Sequence, residues 1–322
     1  MIYKNLGNSG LKVSALCMGT MTFGNEADKA TSKKLYGLCR DKGINFFDCA
    51  NGYAGGESEK ILGKLIKNHR EEVVIATKGY FPTGKDINAR GLSRFHLTKA
   101  LDASLKRLNA DYVDVYYLHH FDNNTPLVET LATLNDFVRQ GKVLYLGISN
   151  FAAWQVMKAI AICQQNNFAS INCLQPMYNL LKRQCESELL PMAESEGLGV
   201  FPYSPLAGGL LTGKYQQRVP KEGRLNTNKM YQKRYEAERE LSSISSFVDF
   251  AKTNNYHPVS LAIAWAGGHS GVTAPIIGAR NIEQLTPALA ATDIKMTHEL
   301  RTKISNFSFA PSIATDRSDE LK

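Results

Sequence analysis

The sequence predicts a (β/α)8 barrel built as one domain over residues 1–322, with an N-terminal β-hairpin and a C-terminal helix and tail. Three observations predict it. Apolar runs of strand length alternate with amphipathic helical stretches from about residue 13 to 291, and strands alternating with helices imply a parallel sheet. The alternation occurs eight times without a break in composition, and eight units over ~250 residues suit a closed barrel better than two doubly wound halves. No GxGxxG opens a helix after the first strand, so the doubly wound alternative lacks its dinucleotide fingerprint.

Residues 1–13 read as a hairpin turning at Gly7-Asn8-Ser9-Gly10, a cluster of turn formers. The first barrel strand is expected over Val13–Met18, ending in Gly19-Thr20-Met21, and Ala30–Lys42 follows as a helix. The bulky run Ile44–Phe47 suits a buried strand. Glu57 and Glu59 then fall in the first turn of a helix over Ser58–Asn68, where the macrodipole favours acids. Glu72–Thr77 is a strand ending at Lys78. In the helix His96–Asn109, Leu97, Leu101, Leu105 and Leu108 recur at helical spacing. Val113–Leu118 ends at His119, and the helix Pro126–Gln140 is closed by Gly141. Lys142–Ile148 ends at Ser149-Asn150, and Ala152–Gln165 is helical. Ile171–Leu174 ends at Gln175, Ser187–Glu196 is a helix closed by Gly197, and Gly199–Pro202 ends at Tyr203. The polar segment 205–235 is too long for an ordinary connection and reads as a functional loop or lid. Helices over Ala237–Thr253 and Val259–Ala266 follow. An eighth strand Ala274–Ile277 ends at Gly278, and helices Ile282–Ala290 and Thr297–Asn306 complete the pattern.

Composition excludes several classes. Hydrophobic residues make up 43% and charged residues 21%, as in a globular protein with a sizeable core. No apolar run approaches the roughly 20 residues of a bilayer span. The N-terminus lacks a signal-peptide layout, and Asp319-Glu320-Leu321-Lys322 has the wrong order for ER retention. A cytoplasmic protein with no membrane partner is expected. The cysteines at 17, 39, 49, 163, 173 and 185 form no CxxC and no metal-like spacing, so reduced thiols and no metal are expected. The net charge of +8 comes from Lys and Arg interleaved with acids, as in Glu236-Ala237-Glu238-Arg239-Glu240. That is a solvated surface with a bias towards anionic small molecules, not a nucleic-acid face.

Polar residues stand at seven of the eight strand ends: Asp48, Lys78, His119, Ser149-Asn150, Gln175, Tyr203, and Arg280 just past Gly278. On a barrel these converge at one mouth, where the fold keeps its chemistry. Singly, each has a plain structural reading: Asp48 as a turn cap, Lys78 as a loop charge, His119 as a bonded core histidine. Chance accounts poorly for all of them on one face. Tyr53, from the turn after Asp48, adds a phenol whose ordinary pKa of ~10 is high for a proton donor near neutrality. A nearby ammonium lowers it, a carboxylate holds the ammonium, and an imidazole orients a carbonyl. Such a set protonates a carbonyl oxygen while a hydride arrives from elsewhere. No side chain supplies hydride, so a nicotinamide or flavin is implied.

The same residues lie in FFDCANGYAGGESEKILG, VVIATK, DVYYLHH, VLYLGISNF, LQPMYNLLKR, FPYSPLAGGLLTGKY and APIIGARNIEQL. Together, from Gly19 to about Leu285, these stretches resemble the aldo-keto reductase superfamily, in the branch of bacterial general aldo-keto reductases and potassium-channel β subunits. The resemblance implies Tyr53 as general acid, Lys78 as its pKa-lowering partner, Asp48 as the lysine's anchor, and His119, not His120, as the carbonyl-orienting imidazole. It implies cofactor contacts from Gly19, Thr20, Met21 and Asp48. Ser149, Asn150 and Gln175 would hold the nicotinamide carboxamide, and Tyr203 would stack on the ring. Ser204, Pro205, Leu206, Ala207, Gly208 and Gly209 would cradle the pyrophosphate, with Lys214 nearby. Gly278, Arg280 and Gln284 would meet the adenosine end, Arg280 favouring NADPH over NADH through a 2′-phosphate. The sequence departs from the family pattern at Cys49, where Thr is usual, at Gly52, where a larger residue is common, and at Ala288, where Asn is common.

The expected function is NADPH-dependent reduction of a small aldehyde or ketone. The alternative is an NADP(H)-binding regulatory subunit with little turnover; the hairpin's position directly after Met1 favours the enzyme. A barrel hydrolase or lyase using Asp48 and His119 leaves Tyr203 and the glycine loop unexplained. Substrate selection is expected from loops 22–30, 80–95, 120–126 and 205–235, with Phe23, Phe81, Phe121 and Tyr231 as candidate apolar lining.

Overall fold

The computed structural model describes residues 1–215, 229–235, 238–312 and 314. An antiparallel hairpin, β1 (Tyr3–Asn5) and β2 (Lys12–Ser14), precedes eight parallel strands. They are β3 (Cys17–Gly19), β4 (Phe46–Asp48), β5 (Val74–Gly79), β6 (Val113–Leu118), β7 (Val143–Ser149), β8 (Ile171–Gln175), β9 (Gly199–Val200) and β10 (Ile276–Ile277). Neighbours follow chain order, and β10 pairs back onto β3. Between β9 and β10 the ring is joined by single backbone bonds: Ala274 N donates to Val200 O at 3.3 Å, and Ile276 N to Pro202 O at 2.8 Å. The fold is the (β/α)8 barrel that the alternation predicts.

The barrel helices are α1 (Lys29–Asp41), α2 (Glu57–Ile66), α3 (Arg94–Leu108), α4 (Leu127–Arg139), α5 (Ala153–Gln165) and α6 (Leu189–Ser195). After β9 come α7 (Lys229–Arg234), α8 (Glu238–Thr253) and α9 (Pro258–Gly267); α10 (Ile282–Leu289) and α11 (His298–Ser305) follow β10. Local capping sets several starts: Asp28, Ser93, Asn281 and Thr297 each accept a backbone N–H of the first turn with a side-chain oxygen. In the long segment after β9, Ala207–Thr212 forms a 3-10 stretch before α7. Residues 216–228, the greater part of the expected lid, lie outside the described residues.

Element boundaries fall within two residues of expectation, with two corrections: α7 (Lys229–Arg234) lies inside the segment read as a loop, and the first strand starts late. Val13 and Ser14 belong to the hairpin, and the first barrel strand starts only at Cys17. The apolar run is broken by a turn at Ser14–Leu16. There Ser14 Oγ donates to Leu16 O at 2.6 Å, and Ser14 N donates to Asn45 Oδ1 at 2.7 Å.

Strand alternation sorts the core into two. Phe46, Val74, Ala76, Val115 and Tyr117 fill the barrel together with Cys173 and Phe201. Phe47, Ile75, Tyr116 and Leu118 face the helices, as a side-chain period of two requires. Leu6 and Val13 join the inner cluster, so the hairpin plugs the barrel at the end opposite the strand C-termini. Its turn needs Gly7: φ is +54°, and a Cβ there would come within 2.6 Å of Gly197 O.

All six cysteines are free and buried. Burial pushes Cys39, Cys49, Cys173 and Cys185 from 9.0 up to about 12. The folded state therefore holds the protonated thiols, whereas the unfolded chain ionises them near pH 9. Stability that is fully present below pH 9 is lost on the way to 12, by about 1.4 kcal/mol per thiol per pH unit. Thermal unfolding followed by circular dichroism is expected to show a steady midpoint from pH 7 to 9 and a steep fall above it. A midpoint unchanged at pH 10.5 would contradict this burial.

Candidate active site

Asp48 ends β4, Lys78 is the penultimate residue of β5, and His119 follows β6. Parallel register brings these ends to one mouth. Lys78 is fully buried and Asp48 is 3% exposed. The Lys78 ammonium donates to Asp48 Oδ2 at 2.6 Å, to Cys49 O at 2.7 Å and to Tyr53 Oη at 3.3 Å. The second oxygen of Asp48 accepts Gln175 Nε2 at 2.8 Å. A buried ion pair adds little net stability but holds its members in one geometry. Tyr53 reaches the ammonium because the turn after it is left-handed at Ala54, Gly55 and Gly56 (φ 48°, 62° and 93°), where the two glycines avoid a Cβ penalty.

Electrostatics here differ from the expected balance at one point. The Lys78 charge does pull the Tyr53 phenol down, but burial is the larger effect, and the phenol ends up raised to about 12. The expectation of a net lowering is thus corrected: desolvation disfavours the phenolate more than one ammonium favours it. Burial also disfavours the charge on Lys78, but the Asp48 carboxylate at 2.6 Å outweighs it, and its pKa rises. His119 is held well below 6.5 by burial and then by the Lys78 charge. It is therefore neutral, and its buried Nδ1 has no hydrogen-bond partner among the described residues. Its ring meets Tyr53 edge-on at 6.2 Å and Phe81 edge-on at 4.8 Å between centroids. His120 points elsewhere, stacking on Tyr80 and bonding Phe121 O.

A second group adjoins the first. Ser149 Oγ donates to Gln175 O at 2.8 Å. Asn150, left-handed at φ +58°, bonds His119 O through Nδ2 and accepts Tyr203 Oη at 2.7 Å. Thr20 donates N–H and hydroxyl to Asp48 O, and Met21 is exposed beside it at the rim. Gly19 sits where a Cβ would come within 2.8 Å of Ile276 Cγ2, so glycine allows β3 to meet β10. Beyond Tyr203, Ser204 is left-handed, as are Ala207, Gly208 and Gly209 in succession (φ 50°, 68° and 99°). Within this turn Ala207 N donates to Ser204 O at 2.9 Å and Gly209 N to Leu206 O at 2.8 Å. Pro205 is buried and Leu206 half-buried in this turn, and Lys214 lies over the Tyr215 ring next to Gly209. On the far side of the mouth Gly278 is exposed, Arg280 N donates to Gln284 Oε1 at 3.1 Å, and Arg280 pairs with Glu26 at 3.4 Å.

Among the candidate lining residues, Phe23 is corrected to core: it is fully buried, while Phe81 is 43% exposed. Phe121 packs on Phe151 and Trp154, and the Tyr231 side chain lies outside the described residues. Cys49 fits the Thr-like position by joining Ser58 Oγ at 3.2 Å, which in turn bonds Thr20. Gly52 is exposed and its backbone is right-handed. A Cβ there would meet nothing within 4 Å, so no backbone constraint selects glycine at this position.

Three features escaped the sequence reading. Trp154 stands 62% exposed in the first turn of α5. Asn51 is buried beside Tyr53, and neither end of its amide has a partner among the described residues. Glu59 is fully buried, bonded to Arg107 at 2.6 Å and to Thr77, which precedes Lys78. Among the described residues no group of three His, Cys, Asp or Glu is placed to hold a metal, and no helix is long and apolar enough to cross a membrane.

A barrel whose strand ends gather this carboxylate, ammonium, phenol and imidazole is of the oxidoreductase class, and comparison with known proteins agrees. The chain belongs to the aldo/keto reductase family, whose profile matches residues 15–307. It is 38% identical to the uncharacterized oxidoreductase YrpG of Bacillus subtilis (strain 168), over 97% of each chain. It is equally, 38%, identical to a probable voltage-gated potassium channel subunit beta of Oryza sativa subsp. japonica, over 94% of this chain and 95% of that one. A protein of the same description from Arabidopsis thaliana is 38% identical over 91% and 92%.

Proposed function

We propose that the chain, as a single domain over residues 1–322, reduces the carbonyl group of a small aldehyde or ketone with NADPH, Tyr53 giving the proton. The observation that carries this reading is the buried Lys78 ammonium bridging Asp48 at 2.6 Å and Tyr53 Oη at 3.3 Å. A reduced nicotinamide supplies the hydride. The residues present suit it: the glycine turn at Gly208 and Gly209, with Lys214 Nζ beside Gly209, suits a pyrophosphate, and Ser149, Asn150 and Gln175 gather polar ends beside Asp48. Tyr203 lies alongside to stack.

Each side chain then has one task. Neutral His119 donates a ring N–H to the carbonyl oxygen and orients it. Tyr53 Oη gives its proton to that oxygen as the carbonyl carbon gains the hydride, so an alcohol leaves and a phenolate remains. Lys78 steadies the phenolate, Asp48 keeps the ammonium aimed, and a solvent proton restores the phenol. Titrating NADPH into the protein and following nicotinamide fluorescence tests the reading, together with a carbonyl panel read by NADPH consumption. Failure of NADPH and NADH to bind would sink it.

The likeness to the plant proteins named as channel β subunits supports a second reading, a nucleotide-binding subunit with little turnover. Binding of NADPH without consumption of it by any carbonyl would favour that one.

Arg280 and Glu26 allow a sharper test. Arg280→Ala is expected to weaken NADPH but hardly NADH, because a 2′-phosphate is the group a guanidinium selects. Glu26→Gln removes the carboxylate now holding Arg280 at 3.4 Å. The pair is partly exposed and therefore weak, so NADPH should tighten only about threefold to fivefold, with NADH unmoved. Equal changes for both nucleotides would place the 2′-phosphate elsewhere.

A further inference from the structure

A groove of about 600 Å³ runs between α2 and α3, lined by Lys60, Lys64 and Lys67 from one helix and Lys106 and Arg107 from the other. It owes its depth to small residues. A Cβ on Gly63 would run into the Leu108 carbonyl, so α2 and α3 touch at backbone level there. Gly63 and Ala103 line the groove between the lysines.

Every carboxylate on the two helices is already engaged. Glu57 pairs with Lys29 and Lys60, Glu59 with Arg107, and Asp102 with Lys142. Lys64, Lys67 and Lys106 are exposed and make no ion pair among the described residues. Cations near a helix C-terminus are favourable one at a time. Two helix ends that direct theirs into one shared groove add repulsion, which an anion seated between them relieves.

We propose that this groove is a docking site for an acidic segment of a partner protein. Its shape favours an extended anion over a compact one. Lys64 and Lys67 stand on α2 and its C-cap, and Lys106 on α3, so the cations without an ion pair are spread over both walls of the groove rather than gathered at one point. No aromatic side chain is among the lining residues, so a nucleic acid would find no stacking platform. A carboxylate-bearing helix instead places its acids against the lysines and a small apolar ridge on the half-buried Ala103. The site lies on the outer helical face, away from the strand-end mouth, and does not depend on the catalytic reading.

The test uses the full chain and a fluorescein-labelled, alanine-based helical peptide with Glu at i, i+4 and i+7, followed by anisotropy. The peptide should bind and be released by salt, and its Gln counterpart should not bind. The triple variant Lys64→Glu, Lys67→Glu, Lys106→Glu should lose at least about tenfold in affinity. Lys33→Glu, Lys158→Glu, Lys295→Glu makes the same change in net charge on other faces and should bind as the parent does. Equal loss in both triple variants would reduce the effect to net charge and overturn the site. So would no binding to the parent, or tighter binding of a labelled oligothymidylate or of inorganic tripolyphosphate than of the peptide.

Discussion

Lys78→Met is expected to abolish turnover and to weaken the fold, and the two losses are separable. Lys78 is fully buried, and its removal strands the Asp48 carboxylate, 3% exposed, with Gln175 Nε2 as its remaining side-chain donor. An uncompensated buried charge of this kind costs roughly 3–5 kcal/mol. Asp48→Asn added to Lys78→Met removes the stranded charge and should return much of that stability, because replacing both members of a buried pair costs far less than removing one. The double variant should stay inactive, since nothing then stabilises the Tyr53 phenolate. Urea denaturation of parent, both single variants and the double variant, beside the rate of carbonyl reduction, separates the effects. An active Lys78→Met protein would remove the ammonium from the mechanism.

That coupling of Asp48 to Lys78 was legible because both stand where an apolar run stops, and a barrel brings all such ends to one face. Tyr53 was legible from its place in the turn that follows. Other parts were not, for reasons of packing rather than pattern. Glu59 sits in Glu-Ser-Glu-Lys at a helix start, a string that reads as solvent-facing, and its buried partner Arg107 comes from the next helix. Phe23 and Phe81 are both aromatic loop residues in sequence, yet one is core and the other is 43% exposed. The break between β2 and β3 depends on Asn45 reaching back to Ser14, a contact outside any local window. The lowering expected of Tyr53 from its ammonium neighbour came out with the opposite sign, because desolvation depends on what surrounds the ring after folding.

The sign matters for the other large effect, Tyr53→Phe. Turnover should fall by about 10²- to 10⁴-fold, the usual worth of a positioned proton donor. NADPH affinity should hold. The phenyl ring keeps its packing, and Lys78 keeps its bonds to Asp48 and Cys49 O. With the phenol raised to about 12 and His119 held neutral, neither group changes protonation near neutrality. Reduction by the parent should therefore be level from pH 7 to about 9 and decline only as the phenol begins to ionise. Alcohol oxidation needs the phenolate and should rise with pH over the same interval. Initial rates in both directions, measured against pH for parent and Tyr53→Phe, decide the matter. A break near pH 7 that survives in Tyr53→Phe would hand the proton to His119 or His120. Level reduction beside rising oxidation from pH 7 to 9, the rise lost with the hydroxyl, would mean that burial keeps Tyr53 an acid and Lys78 serves the phenolate only after the proton has gone.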